Sequence, residues 1–330
     1  MILQDRNNSS NSTSNEVISV VGVCIWTITT VLTLFLNTVC LVLLQHVQGF
    51  NKSTLIFLKS MTVSDLLLGV FFYLPTIAVF AAGQTWPDAL GPTFCLIEAW
   101  VIRQGLPTSA LSVLLVTIDR YIAIVHPLKY EVWLSPKRAR LIVCIVWFTA
   151  NMYALVSLLT TENMEGTYSD IFFICTIGEF NETKAVFTLI LLGVGIMICI
   201  TIMYIRILII ANRHAAHIVT HRPSTCSRDG QVQPTTPTPN RKSFTTVTII
   251  TMTLVIGWMP SVIIHVALTN TKDTPPLVGF VTQVPLASVS WLNVIVYYVR
   301  NQAFKEAGHA LLTRILKYCK GCCRNNDTEL

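Results

Sequence analysis

Seven long apolar stretches follow one another along this chain, at residues 17–44, 54–82, 92–125, 141–160, 185–205, 243–269 and 275–299. The hydrocarbon core of a bilayer takes about 20 mostly apolar residues per spanning helix. Each stretch meets that length, and seven in succession have no counterpart in a soluble domain. A membrane β-barrel would instead show alternating segments of about ten residues. No stretch repeats another, so the inverted repeats of many transporters are not evident. The expected fold is an all-α membrane protein, a seven-transmembrane helix bundle.

Composition agrees. Hydrophobic residues make up 52% of the 330 and charged residues 12%, against about 25% charged in soluble chains. Mean hydropathy is +0.60. A disordered chain, a nucleic-acid-binding domain and an ordinary cytosolic enzyme are excluded. If the N-terminus is placed outside, 19 of the 23 Lys and Arg fall on the inner side, leaving Arg6, Arg103, Lys184 and Lys272 for the outer half. Positive residues accumulate on the cytosolic side, so the N-terminus is expected extracellular and the C-terminus cytosolic, in a multi-pass protein of the plasma membrane. The net charge of +6 then faces anionic lipid and cytosolic partners. Residues 1–16 are polar and the first apolar run is too long for a cleavable signal, so the first helix is expected to act as the insertion signal.

The chain divides accordingly. An extracellular tail (1–16) carries glycosylation sequons at Asn7, Asn8 and Asn11, and Asn181 begins another in an outer loop. The bundle occupies 17–299. Residues 300–318 form an amphipathic interfacial helix, with Phe304, Ala307, Leu311, Leu312, Ile315 and Leu316 on one face. Residues 319–330 form a cytosolic tail. There Cys319, Cys322 and Cys323 read as palmitoylation sites, and Thr328-Glu329-Leu330 can add as a strand to a PDZ protein. Two cysteines lie on the oxidising side, Cys95 at the start of the third span and Cys175 in the loop between the fourth and fifth. A Cys95–Cys175 disulfide is expected there.

Ionisable residues at membrane depth are costly and mark function. Here they are Asp65, Glu98, Arg103, Asp119, Arg120 and His265. With their neighbours they form a series: Leu36-Asn37-Thr38-Val39, Ser64-Asp65-Leu66, Cys95, Asp119-Arg120-Tyr121, His126-Pro127-Leu128-Lys129-Tyr130, Trp147, Gly257-Trp258-Met259-Pro260, Asn293-Val294-Ile295-Val296-Tyr297 and Asn301-Gln302-Ala303-Phe304. In this order the series resembles the rhodopsin-like (class A) G-protein-coupled receptors over nearly the whole chain. Weaker likenesses run to melatonin, adenosine and melanocortin receptors. None is close enough to name a ligand, which leaves an orphan-like receptor.

The resemblance implies roles. Asp119, Arg120, Tyr121, Tyr204, Trp258, Pro260, Asn293 and Tyr297 fall at the positions of the activation switch and G-protein coupling. Arg120 pairs with Asp119 at rest and reaches the G protein when the sixth helix swings out. Tyr204 and Tyr297 match the tyrosines that close over that arginine. Asp65, Ser109 and Asn293 fall at a sodium and water site, so an allosteric sodium ion is possible; no other cofactor and no metal centre is expected. Arrestin and receptor kinases are implied partners, and no nucleic acid is.

Several positions depart from the family pattern. Val294 replaces the proline of the seventh helix, Ile196 that of the fifth, and Val289 the asparagine one turn before Asn293. Gly257 stands where the sixth-helix motif has cysteine. Pro107 is expected to bend the third helix locally. The sixth helix opens on Asn240-Arg241-Lys242 with no acid, which removes a resting lock to Arg120 and predicts raised basal signalling.

The ligand pocket is expected around Glu98, Ile102, Arg103, Leu106, Trp258, His265 and Gln283. Ile102 stands where aminergic receptors carry an aspartate, which disfavours a monoamine. No lysine lies between Lys272 and Lys305, which disfavours a retinal photoreceptor. Arg103 can pair a carboxylate or phosphate on a ligand, pair Glu98, or turn to lipid. An acidic mouth of Glu162, Glu165, Asp170, Glu179 and Glu182 would favour a cationic ligand instead. The expected function is transduction of an unidentified extracellular ligand to a heterotrimeric G protein, without catalysis. The rivals are a receptor-like non-signalling dimer partner and a small-solute transporter.

Overall fold

The computed structural model describes residues 2–81, 86–159, 166–169, 174–177, 182–220, 253, 256–261, 263–264 and 276–326. The first span lies in α1 (Ile2–His46). The second is built from α2 (Lys52–Leu68), a π-helical turn (Gly69–Tyr73) and α3 (Leu74–Ala81). The third lies in α4 (Trp86–Val125). A 3-10 turn (Pro127–Lys129) and α5 (Tyr130–Trp133) lead into the fourth, α6 (Pro136–Leu159). Strands β1 (Gly166–Ser169) and β2 (Ile174–Ile177) follow, then the fifth span in α7 (Glu182–Thr220), the seventh in α8 (Pro276–Arg300), and a last helix α9 (Gln302–Asn326). Of the sixth span, residues 256–261 are helical.

Four details differ from the expected layout. Helix α1 begins at Ile2, so the polar residues before the first span are continuous with it; its apolar part runs Val21–His46. Helical backbone continues through Pro107, and the departure inside α4 falls at Gly91, whose φ of 75° suits glycine. An antiparallel β1–β2 hairpin pairs Tyr168 with Cys175 and packs on α4. Similarly, α9 runs on through the cysteines to Asn326.

Around α4 sit α2, α6 and α7, while α1 packs on α2 and α8. Polar contacts tie the spans together where hydrocarbon offers no alternative partner. Trp147 Nε1 donates to Ser60 Oγ at 2.9 Å, and Ser60 meets Ser112 at 3.1 Å. The lower core gathers Phe57, Met61, Val113, Ile200, Tyr204 and Val294. Phe304 of α9 is buried edge-on to Phe50, and Asn301 Oδ1 caps the Ala303 N–H at 3.0 Å. The last helix is thereby pinned along the base of α1. Leu312 and Leu316 stay exposed on it, an apolar edge suited to lipid.

Candidate functional site

The inner end of α4 presents a buried carboxylate. Asp119 is fully buried, while the Arg120 side chain is 41% exposed. Asp119 Oδ2 accepts from Arg120 Nη2 at 2.7 Å, Arg120 Nε at 3.0 Å and Thr54 Oγ1 at 2.7 Å, and Oδ1 accepts from Tyr130 OH at 2.6 Å. Arg120 Nη2 also donates to Thr54 Oγ1. A buried charge is tolerable when paired and fully hydrogen-bonded, and Asp119 has both. Tyr130 arrives because the turn after α4 folds back: Ser53 Oγ donates to Leu134 O at 2.5 Å, and His126 packs edge-on to Tyr121 and to Trp133. Burial, and then donation to Asp119, hold the Tyr130 phenol above the usual tyrosine range. Tyr204 OH lies 3.4 Å from Thr117 Oγ1, one turn before Arg120 on α4.

Mid-bundle, Ser109 Oγ donates to Asp65 Oδ1 at 2.8 Å. The Ser290 hydroxyl lies beside both Asp65 and the Tyr73 phenol. Asn37 Nδ2 donates to Thr33 O at 2.9 Å and Ser290 O at 3.2 Å. Asp65 Oδ2, Asn37 Oδ1 and Asn293 Nδ2 are buried with no hydrogen-bond partner among the described residues. Two unclaimed carbonyl-type oxygens suit a hard cation or water.

Just above lies a cavity lined by Leu68, Leu106, Ser109, Val113, Trp258, Ser290 and their neighbours. Trp258 packs so close to α7 that a Cβ on Gly193 would stand 3.0 Å from the indole. On its other side a Cβ on Gly257 would stand 2.2 Å from Val289 Cγ2 and 3.1 Å from the Pro285 carbonyl. The sixth and seventh spans are therefore in contact at the tryptophan.

The profile described as 7 transmembrane receptor (rhodopsin family) matches residues 36–297. The chain belongs to that family. Among curated proteins the receptor is similar to "Probable G-protein coupled receptor 21" of Homo sapiens, 25% identical over 87% of this chain and 80% of that protein. It is also similar to "G-protein coupled receptor 52" of Mus musculus, 26% identical over 88% of this chain and 78% of that one. It is a multi-pass G-protein-coupled receptor, and its family is one of receptors rather than enzymes. The transporter and dimer-partner readings are not favoured.

Of the pocket residues expected from sequence, Leu106 and Trp258 line this cavity. Glu98 and Gln283 are buried, and Ile102 packs with Leu106 against the Trp26, Phe72 and Tyr73 cluster. Arg103 is half-buried within electrostatic reach of Tyr153. Cys95 is disulfide-bonded, and β2, which carries Cys175, packs on its helix. The Cys175 side chain, His265, Asn181, the side chains of Asn7, Asn8, Asn11, Cys319, Cys322 and Cys323, and the terminal Thr328-Glu329-Leu330 lie outside the described residues. Sequence reasoning missed Thr54 and Ser290. Thr54 sits eleven residues before Asp65 on the same helical face, the one signal that it looks inward.

Proposed function

We propose that the receptor couples an unidentified extracellular ligand to a heterotrimeric G protein through release of Arg120 from Asp119, and that it signals without ligand. The observation that carries this reading is the fully bonded Asp119 beside a half-exposed Arg120 at the inner end of α4. The arrangement is one of two: the clamp closed, or Arg120 freed toward Tyr204 and Tyr297 when the sixth helix moves. A ligand acts by favouring one of them. The Asn240-Arg241-Lys242 start of the sixth helix supplies no carboxylate to hold Arg120 back, which supports basal activity.

The same reading places residues 1–16 outside with Asn7, Asn8, Asn11 and Asn181 glycosylated, and a Cys95–Cys175 disulfide fastening the hairpin over α4. Cys319, Cys322 and Cys323 become acylated at the inner face of the plasma membrane. Arrestin, receptor kinases and a PDZ protein bind there. Sodium, when bound, would be held by Asp65 and Ser109 near Asn293; the unclaimed Asp65 and Asn37 oxygens fit it, while Val289 removes a further polar ligand. The pocket includes Leu106 and Trp258.

The test is ligand-free signalling through a panel of G proteins, for receptor carrying an N-terminal surface tag, wild type against Arg120→Ala. An elevated signal lost in the variant is expected. Basal levels no higher than in mock-transfected cells refute the ligand-free activity, and a signal that survives Arg120→Ala refutes the clamp.

A further inference from the structure

We propose that the lipid-facing groove between the inner halves of α2 and α6 seats one anionic phospholipid, with Lys59 on its phosphodiester and Lys52 and Arg140 on the headgroup beyond. Two bonds fix the groove's walls. Ser53 and Ser60 lie seven residues apart on one face of α2. Ser53 Oγ donates to Leu134 O just ahead of α6, and Ser60 Oγ accepts from Trp147 Nε1 at 2.9 Å. The two helices therefore run side by side and in the same direction. Arg140 falls between those bonds in sequence, two turns before Trp147, and is exposed. The buried face of α6 carries Ala139, Ala150 and Ala154, and α4 packs on this helix. Around α6 from that face come Trp147 and then Arg140, so Arg140 stands on the lip of the seam turned to lipid. On α2 the outward face holds exposed Lys52, half-buried Lys59, and exposed Val63 and Val70.

Lys59 lies too deep for an ordinary surface charge. The apolar span Lys52–Ala78 has 27 residues, about 40 Å of helix against a hydrocarbon core of about 30 Å. With the excess shared between the two ends, Lys59 starts about 5 Å inside the hydrocarbon and Lys52 about 5 Å outside it. The lysine stem can run back along apolar surface and bring its ammonium to the phosphate layer. Among the described residues that ammonium has no ion pair and no hydrogen bond. None is within easy reach: α6 has no acidic residue, α2 has only the buried Asp65, which Ser109 bonds, and the acids of α1, Asp5 and Glu16, lie at its far end.

Cations gather at the inner side of membrane proteins in general. Lys137 and Arg138 at the start of α6 meet that bias in the headgroup layer. It does not place a charge two turns into the apolar part of a helix, where charge is costly. An anionic phospholipid matches both depths. Its phosphodiester lies where Lys59 reaches, and its further negative charge lies where Lys52 and Arg140 stand, as basic residues at this surface attract anionic lipid. Val63, Val70 and Phe148 are exposed farther up the two helices and give the acyl chains an apolar wall, which selects a lipid over a free phosphate. Placement in the inner leaflet rests on the topology proposed above; binding itself needs no ligand, G protein or signal, so it fails separately from the coupling mechanism.

Native mass spectrometry of the full purified receptor, offered phosphatidylserine or phosphatidylcholine with the same acyl chains, counts the bound lipids. The wild type is expected to retain phosphatidylserine several-fold over phosphatidylcholine. Lys59→Gln should bring the two lipids level, and Lys59→Arg should keep the preference. Lys317→Gln removes the same charge from an exposed position on α9 and should leave the preference intact. No preference in the wild type overturns the site, as does a preference that survives Lys59→Gln or one that Lys317→Gln lowers equally. Should Lys59→Gln fail to fold, Arg140→Gln at the exposed lip decides: a several-fold fall in phosphatidylserine retention supports the site and an unchanged retention overturns it.

Discussion

Gly257→Ala places a methyl group where the seventh helix already stands. Its Cβ would lie 2.2 Å from Val289 Cγ2 and 3.1 Å from the Pro285 carbonyl oxygen, against about 3.5–4.0 Å for comfortable carbon contacts. The gap must open by about 1.5 Å at the valine. Val289 is buried and its branched side chain has few rotamers; the Pro285 carbonyl is backbone. Overpacking of this kind costs about 1–3 kcal/mol. If that cost falls on the arrangement in which the sixth and seventh helices touch, the ratio of active to resting receptor rises about 5- to 150-fold. A receptor with about 1% of molecules active would move to between about 5% and 60%. The assay is ligand-free nucleotide exchange on the G protein, normalised to surface receptor. Gly257→Ala/Val289→Ala deletes the clashing methyl and should return most of the way to wild type. Basal exchange unchanged in Gly257→Ala, or equally raised in the double variant, refutes the steric reasoning.

Two further variants probe the clamp at Asp119. Thr54→Val removes a donor to a buried carboxylate, worth about 1.5–3 kcal/mol, and should lower the melting temperature of the purified receptor by several degrees; an unchanged melt shows that Asp119 does not depend on Thr54. Tyr130→Phe should be destabilising in a pH-dependent way. The folded-state phenol is held above the ordinary value of about 10, so its bond contributes in full below that value and is lost as pH climbs through the raised one. The melting difference between wild type and Tyr130→Phe should therefore hold steady near neutrality and close at alkaline pH, and a difference that widens there contradicts the assignment.

The spans were legible because apolar runs of membrane length leave the chain no other use, and Asp65 was legible as a charge at membrane depth that demands a partner; that Ser109 is the partner was implied only by the resemblance to the receptor family. Partners supplied by helix rotation were not. Thr54 and Tyr130 reach Asp119 through how α2 turns toward α4 and how the following loop folds back; the spacing of Thr54 from Asp65 marks it as inward-facing but names no partner. On α1 the resemblance already turned Asn37 toward the bundle, whereas the inward placement of Trp26, Thr30 and Thr33 is settled by their burial. The departures from the family pattern show the limit most clearly. Gly257 in place of cysteine and Val289 in place of asparagine read from sequence as two independent losses, one at the tryptophan switch and one at the sodium site. In the folded chain they are one contact: the valine branch occupies the space where any side chain at 257 would sit. Where the family pattern has a polar residue at 289, the structure has an apolar contact between the sixth and seventh helices beside Trp258. That substitution makes Gly257→Ala the variant most able to distinguish steric from ionic control of the switch. An ionic lock alone would leave its basal signal where the wild type has it.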